Sequence, residues 1–202
     1  MSDCGCAFEA RDAEQRRVLV WLLAINGTMF VVELIVGLLA QSAGVMADSL
    51  DMLADALVYG TGLYAVGRCA AAKVRAARWS GVFQVLLAGS IVVEALRRAV
   101  FGSEPDSLLM MAISLVALAA NAWCLKLLSK HRDGEVHLRA SWIFSRSDVI
   151  ANAGVIVAGA LVALTNSRWP DLVVGLAIAL VVLHGGQRLV SQTPLKASRR
   201  RG

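Results

Sequence analysis

The stretch MADSLDMLADAL, residues 46–57, places three carboxylates in a segment that is otherwise as apolar as a membrane helix. Asp51 and Asp55 stand four residues apart, so both would project from one face of a helix, and Asp48 shares that face. Insertion scales put one central Asp at about 2.5–3.5 kcal/mol, so three cost roughly 8–10 kcal/mol if the costs add. A held proton or a bound divalent cation would offset this cost, and the two would compete for the same carboxylates.

A second polar pair lies in a later apolar segment. DVIANAGV at 148–155 repeats the order of DMLADALV at 51–58, with Asp, two apolar residues, Ala, and then Asp or Asn. The two segments would cross the membrane in opposite directions, as in inverted repeats that hold a binding site near the midplane. Chance similarity between two Ala- and Val-rich helices is the alternative. At about 1.5 Å per residue, Asp148 and Asn152 can reach the depth of Asp55.

Further polar residues within the apolar segments are given lesser roles. Glu33 and Asn26 stand seven residues apart on one face of the first segment, and we expect them to support the site or an outer gate. Asp48 is interpreted as an access residue beside the site rather than as a ligand. Glu94 is followed closely by two arginines, which predicts an ion-paired helix end.

The elements that must position these residues are membrane helices. The chain has 202 residues, of which 57% are hydrophobic and only 17% charged, and its mean hydropathy is +0.64. Its apolar residues form six blocks, each about the 20 residues that a bilayer-spanning helix needs. The predicted spans are 18–40, 45–67, 79–100, 107–128, 141–164 and 169–190. The sequence therefore predicts an all-α polytopic membrane protein.

Little of the chain is left for other domains. The expected organisation is a cytoplasmic N-terminal tail at 1–17, a six-helix transmembrane domain at 18–190 and a basic cytoplasmic tail at 191–202. The N-terminal stretch MSDCGCAFEARDAEQRR is polar and charged, which is unlike a cleavable signal peptide.

The basic residues predict the orientation. With both termini in the cytoplasm, only Arg97, Arg98 and Arg168 of the 20 Lys and Arg residues fall outside, as the positive-inside rule requires. The net charge of +5 therefore faces anionic lipid rather than nucleic acid. The multi-pass chain is placed in a plasma membrane, expected to be a bacterial inner membrane.

The segment NGTMFVVELIVGLLAQSAGVMADSLDMLADAL at 26–57 resembles the cation diffusion facilitator family of metal exporters. The family motif, AD followed by His or Asp, three residues and Asp, falls on Asp51 and Asp55. Asp148 takes the last ligand position of helix five, and Asn121 in helix four also fits. The resemblance implies a secondary transporter rather than an enzyme, with Zn²⁺ exported in exchange for protons. It also implies Cd²⁺, Fe²⁺, Co²⁺ and Mn²⁺ as further candidate substrates.

The sequence departs from the family pattern in two places. The first helix-five ligand falls on Phe144, which cannot bind metal, so the expected metal ligands are Asp51, Asp55, Asp148 and, as a fourth, Asn152 or water. Such an all-oxygen set is hard and suits Mn, Fe or Mg, although zinc also accepts carboxylates. The chain is also read as a short form without the family's C-terminal cytoplasmic domain, so a homodimer would be held by its transmembrane helices.

Two other functions remain open from the residues alone. One is a Mg²⁺-dependent intramembrane transferase acting on a diphosphate lipid, although the phosphatidyl transferase signature D-G-x-x-A-R is absent and helix two carries no Lys or Arg. The other is a metal sensor or adaptor that does not transport. No G-x-x-x-x-G-K-[ST] nucleotide motif occurs, so an ion gradient is the visible energy source.

Cysteine and histidine residues add weaker signals. Cys4 and Cys6 are expected to be free thiols that could hand over a soft metal ion. His131 and His137 lie in a predicted inner loop that is interpreted as solvated, and His184 is assigned to packing or an interface. Cys69 and Cys124 are interpreted as small apolar fillers.

Overall fold

The computed structural model describes residues 4–65, 70–129 and 136–192, and these ranges are helical apart from short outer connections. The six helices are α1 Cys4–Leu39, α2 Ala43–Ala65, α3 Ala70–Phe101, α4 Ser107–Ser129, α5 Val136–Thr165 and α6 Trp169–Gln192. No strand occurs within the described ranges. The all-α prediction is confirmed, and the helix ends on the predicted outer side lie within two residues of their predicted positions. At the opposite side the predicted spans are too short for three helices, since α1, α3 and α5 begin at Cys4, Ala70 and Val136 rather than at 18, 79 and 141.

Five of the six described helices are long and apolar enough to cross a membrane. The exception is α2, because any 18-residue stretch of it contains all three aspartates. The helix is nevertheless 23 residues long, which is enough to cross the hydrocarbon core. The chain is thus a multi-pass membrane protein whose second helix is apolar except for its acidic face.

The outside of the helical bundle is apolar and the interior is polar. Large apolar side chains such as Phe101 and Leu164 are each 80% exposed. The buried polar residues of the bundle interior include Asn26, Glu33, Asp48, Asp55, Asn121, Asp148 and Asn152. A lipid-facing surface requires this distribution, because ionisable residues within membrane segments turn towards the bundle interior.

The acidic helix α2 is the centre of the bundle. It packs against each of the other five helices, and most closely against α1. The remaining close neighbours are the pairs α3–α6 and α4–α5. A side chain on α2 can therefore meet residues from several helices at one depth.

The α1–α2 hairpin is closed by a tight helix end. The Ser42 amide donates to the Gly37 carbonyl at 3.0 Å and the Gln41 amide to the Leu38 carbonyl at 3.3 Å, which is a Schellman motif. Gln41 occupies the left-handed position with φ of 48°, and Asn166 ends α5 in the same conformation with φ of 50°. These sharp ends keep the outer connections short.

The N-terminus of α2 is anchored to α6 by a buried carboxylate. Oδ2 of Asp171 accepts a 2.7 Å hydrogen bond from the Ala43 amide, and Oδ1 accepts bonds of 2.8 Å from the Gly44 amide and 2.6 Å from the Ser42 hydroxyl. The helices are close here, because a Cβ on Gly175 would lie 2.6 Å from the Ala43 carbonyl carbon. Asp171 thus satisfies the free amides at the start of α2 and fixes where the acidic helix begins.

Candidate metal centre

The close approach of α2 and α5 sets the register of the acidic residues. A Cβ on Gly44 would lie 3.6 Å from the Val155 side chain, so these two positions face each other across antiparallel helices. Counting inward from this contact places Asp51 opposite Asp148, so the two internally similar segments meet at their first residues and run apart from that level. Asp55 then lies about one turn further in than Asp51, and Asn152 about one turn further out than Asp148.

The structure brings together the three predicted carboxylates. The carboxyl group of Asp148 lies at hydrogen-bonding range of those of Asp51 and Asp55. Asp55 and Asp148 are buried, whereas Asp51 is partly exposed. On the far side, the phenol hydroxyl of Tyr59 donates a 2.7 Å hydrogen bond to Oδ2 of Asp55. Like charges this close repel strongly away from water, so the arrangement requires protons or a cation.

Asn152, the predicted fourth ligand, lies one turn further out than Asp148. Its Nδ2 donates a 2.8 Å bond to the Asp148 carbonyl and approaches Oδ1 of Asp48 at 3.5 Å. Its Oδ1 has no hydrogen-bond partner among the described residues. The amide therefore connects Asp48 with the α5 backbone and presents a free oxygen in the interior.

The interior holds more acceptors than donors. Among the described residues, the buried side-chain oxygens without a partner include those of Asn26, Glu33, Asp148 and Asn152, whereas the unpartnered buried nitrogens are those of Asn121, Arg98 and Arg168. Unpartnered buried acceptors are costly and rare, and a group of them indicates a bound ion, protons or water. Glu94, by contrast, forms ion pairs with Arg97 at 2.7 Å and with Arg98 at 2.8 Å. That pairing confirms the predicted ion-paired helix end.

The carboxylates do not form a closed metal cage. Within the described residues, no three His, Cys, Asp or Glu side chains converge in an arrangement that would hold a metal ion. Binding of a metal would therefore require small side-chain movements, with an amide oxygen or water completing the ligand set.

Other residues singled out in the sequence have defined positions. Glu33, Asn26 and Asn121 are buried in the bundle interior, as their placement on helix faces predicts. Cys124 is buried beside Leu22 and accepts a 3.8 Å contact from Nδ2 of Asn26, and His184 is exposed. Of the residues singled out in the sequence, Cys4, Cys6, Cys69, His131, His137 and Phe144 have side chains outside the part that the structure describes.

Tyr59 and Ser114 are among the polar residues of the interior that were missed in the sequence. Tyr59 stands four residues after Asp55, and this helical spacing was the available signal for its contact with the acidic face. Ser114 is buried on α4 with its hydroxyl unpartnered among the described residues. A lone serine in an apolar helix carries no comparable signal.

Comparison with known proteins identifies the family. Residues 19–193 match the family profile described as the cation efflux transmembrane domain.

The chain belongs to the cation efflux family.

The chain is also similar in sequence to several named bacterial proteins. The chain is 25% identical to a cadmium, cobalt and zinc/H(+)-K(+) antiporter of Bacillus velezensis, over 91% of this chain and 63% of the relative. It is 25% identical to the metal cation efflux system protein CzcD of Cupriavidus metallidurans, over 83% of this chain and 57% of the relative. It is 27% identical to the zinc transporter ZitB of Yersinia pseudotuberculosis, over 93% and 64%. The chain thus spans 57 to 64% of the length of these relatives.

Proposed function

We propose that this cation efflux family member exports divalent metal ions, with zinc as the main substrate, in exchange for protons. The observation that carries the proposal is the set of Asp51, Asp55 and Asp148, the last two of them buried, in a bundle interior rich in unpartnered oxygens. The relatives named above are a zinc transporter, a metal cation efflux protein and an antiporter of cadmium, cobalt and zinc. Their names support Zn²⁺ first, with Cd²⁺ and Co²⁺ as further substrates.

The exchange follows from electrostatics. Two carboxylates 4 Å apart repel by about 4 kcal/mol at an effective dielectric constant of 20, and either a proton or a divalent cation relieves this repulsion. Metal binds the deprotonated set from the cytoplasmic side, and protons entering from the outer side displace it. Each carboxylate is thus used twice in a cycle, once as a metal ligand and once as a proton carrier.

Asn152 is proposed as the fourth ligand of the inner site. Its Oδ1 is free while its Nδ2 is held by the Asp148 carbonyl and Asp48, so the amide oxygen is available to an ion that Asp148 binds. Zinc accepts oxygen ligands at about 2.0–2.2 Å, and carboxylate and amide oxygens also suit Mn²⁺.

The orientation and assembly are proposed on separate grounds. Cytoplasmic termini follow from the excess of Lys and Arg on one side, and a bacterial inner membrane follows from the bacterial sources of the relatives. We place the homodimer contact on the transmembrane helices, whose outer faces are apolar.

A transferase acting on diphosphates has less support, because α2 contributes no Lys or Arg to bind phosphate.

A metal-tolerance assay tests the function in cells. Asp55→Ala should abolish the zinc tolerance that the wild-type chain gives to a zinc-sensitive bacterial host, while membrane insertion is unchanged. The matched control is Glu104→Gln, which alters an exposed acidic residue of the outer connection. Full tolerance with Asp55→Ala would contradict the proposed function.

A further inference from the structure

A groove runs along the inner half of α2, between α1 and α3. Its volume is about 620 Å³, within the range of pockets that bind small molecules. Both α1 and α3 pack against α2, but among the described residues these two helices do not contact each other. The gap between them leaves one face of α2 as the floor of the groove, which includes Leu53, Leu57, Gly60 and Tyr64.

The floor of the groove is apolar and has room above it. A Cβ on Gly60 would meet only Cδ1 of Leu23, at the ordinary van der Waals distance of 3.8 Å. Further out on the same two helices, a Cβ on Gly37 would lie 2.9 Å from Cγ of Met46. The helices α1 and α2 are therefore tightly packed near their outer ends and leave space for an apolar ligand near their inner ends.

The length of the groove matches one leaflet of a bilayer. At about 1.5 Å per residue, the floor from Leu53 to Tyr64 extends for roughly 16 Å. The hydrocarbon core of a bilayer is about 30 Å thick, so the groove spans about half of it. A lipid acyl chain that enters from the inner surface would lie along the whole floor.

The inner edge of the groove is aromatic and basic. The contact of Arg98 with Met46, in which Nη2 lies 3.3 Å from Sδ, aligns α3 with α2 and places Trp79 level with Tyr64. These two aromatic side chains are 72% and 44% exposed, and such residues commonly lie at the level of lipid headgroups. Arg75 is exposed about one turn further in. Of the described residues that line the groove, Arg75 carries a positive charge and none carries a negative one.

We propose that this groove binds one anionic phospholipid of the cytoplasmic leaflet, with an acyl chain on the floor and the phosphate at Arg75. A guanidinium group binds phosphate oxygens through charge-assisted hydrogen bonds. Basic pockets between transmembrane helices on the cytoplasmic side are typical sites for anionic headgroups. The inference goes beyond the proposed export function and does not depend on it.

Lipid titration of the purified full-length chain, followed by native mass spectrometry, tests the headgroup contact. The wild-type chain should bind one phosphatidylglycerol about fivefold more tightly than one phosphatidylcholine, because a single basic residue favours the anionic lipid by about this factor. Arg75→Gln should reduce this preference to about one, and the side chain is exposed, so the variant is expected to fold. The matched control is Arg188→Gln, which removes an exposed basic residue of α6 and should keep the preference.

A second variant tests the floor of the groove. Gly60→Leu fills the space above α2 and should weaken the binding of both lipids by about tenfold or more, since the acyl chain loses its apolar contacts. The matched control is Gly89→Leu, because a Cβ on Gly89 would meet nothing within 4 Å, and this variant should bind lipid like the wild type.

Three results would overturn the lipid site. They are a preference for phosphatidylglycerol that survives Arg75→Gln, an equal loss of preference in Arg188→Gln, and unchanged lipid affinity in Gly60→Leu. The same spectra report the oligomeric state of each variant. A dimer that dissociates in Gly60→Leu while lipid binding is unchanged would assign the groove to a second copy of the chain instead.

Discussion

The Tyr59 hydroxyl donates a 2.7 Å hydrogen bond to Oδ2 of Asp55, one turn further in along α2. Both side chains are buried, so this bond orients the innermost of the three carboxylates. The partners that hold metal ligands in place commonly matter nearly as much as the ligands themselves. Tyr59 is therefore assigned a positioning role at the metal site.

Tyr59→Phe removes this bond while keeping the ring. We expect zinc affinity to fall by about tenfold, with the fold and membrane insertion retained, because Asp55 loses its orienting donor. Zinc titration of the purified chain measures this change. Tyr64→Phe, on the same helix but 44% exposed, is the control and should bind zinc like the wild type. Unchanged affinity in Tyr59→Phe would show that Asp55 is held by other contacts.

Asp171→Ala tests the anchor at the start of α2. The substitution leaves the Ala43 and Gly44 amides and the Ser42 hydroxyl without their acceptor in a buried environment. We expect a loss of about 1–3 kcal/mol in the free energy of unfolding, measured by denaturation in detergent.

A second capping aspartate provides the matched control for this experiment. Asp106 accepts bonds of 3.0 Å from the Leu108 and Leu109 amides at the start of α4, but it is exposed. Asp106→Ala should cost about 1 kcal/mol or less, because water replaces the lost acceptor. Equal losses in the two variants would contradict a special role for the buried anchor.

Phe144→His tests the helix-five register implied by the family resemblance. If residue 144 stands one turn before Asp148 on the metal-facing side, the new imidazole adds a nitrogen ligand that zinc prefers. We expect zinc affinity to rise by about tenfold, equivalent to 1.4 kcal/mol, with a smaller gain for Mn²⁺. Competition titrations with the two metals measure the difference. An unchanged zinc affinity would favour the alternative in which Asn152 alone supplements the three carboxylates.

Much of this organisation can be predicted from sequence because each span is a local property. Apolar blocks of about 20 residues predict the six helices, and the cost of burying Asp51 and Asp55 predicts that they face the interior. The internal similarity of 148–155 to 51–58 supplied the third carboxylate.

The remaining features depend on packing between distant parts of the chain. Asp171 meets Ala43 at a separation of 128 residues, and nothing in the local sequence of α6 indicates that contact. Similarly, the close contact of Gly159 with the start of α4 sets the register of α4 and α5, and neither local sequence indicates it. The bond between Asn152 and Asp48 also follows from the register of two helices rather than from spacing along one.

Zinc flux in reconstituted vesicles tests the exchange of metal for protons most directly. With a zinc-sensitive dye inside, vesicles with an acidic lumen should accumulate Zn²⁺ faster than vesicles without a pH gradient, because protons leaving the lumen displace the metal there. Reversing the gradient should slow uptake, since protons then occupy Asp51, Asp55 and Asp148 on the loading side. Asp51→Asn should abolish the gradient-driven flux, while Glu104→Gln should not. Zinc flux that ignores the pH gradient, or that survives Asp51→Asn unchanged, would contradict proton-coupled export through these carboxylates.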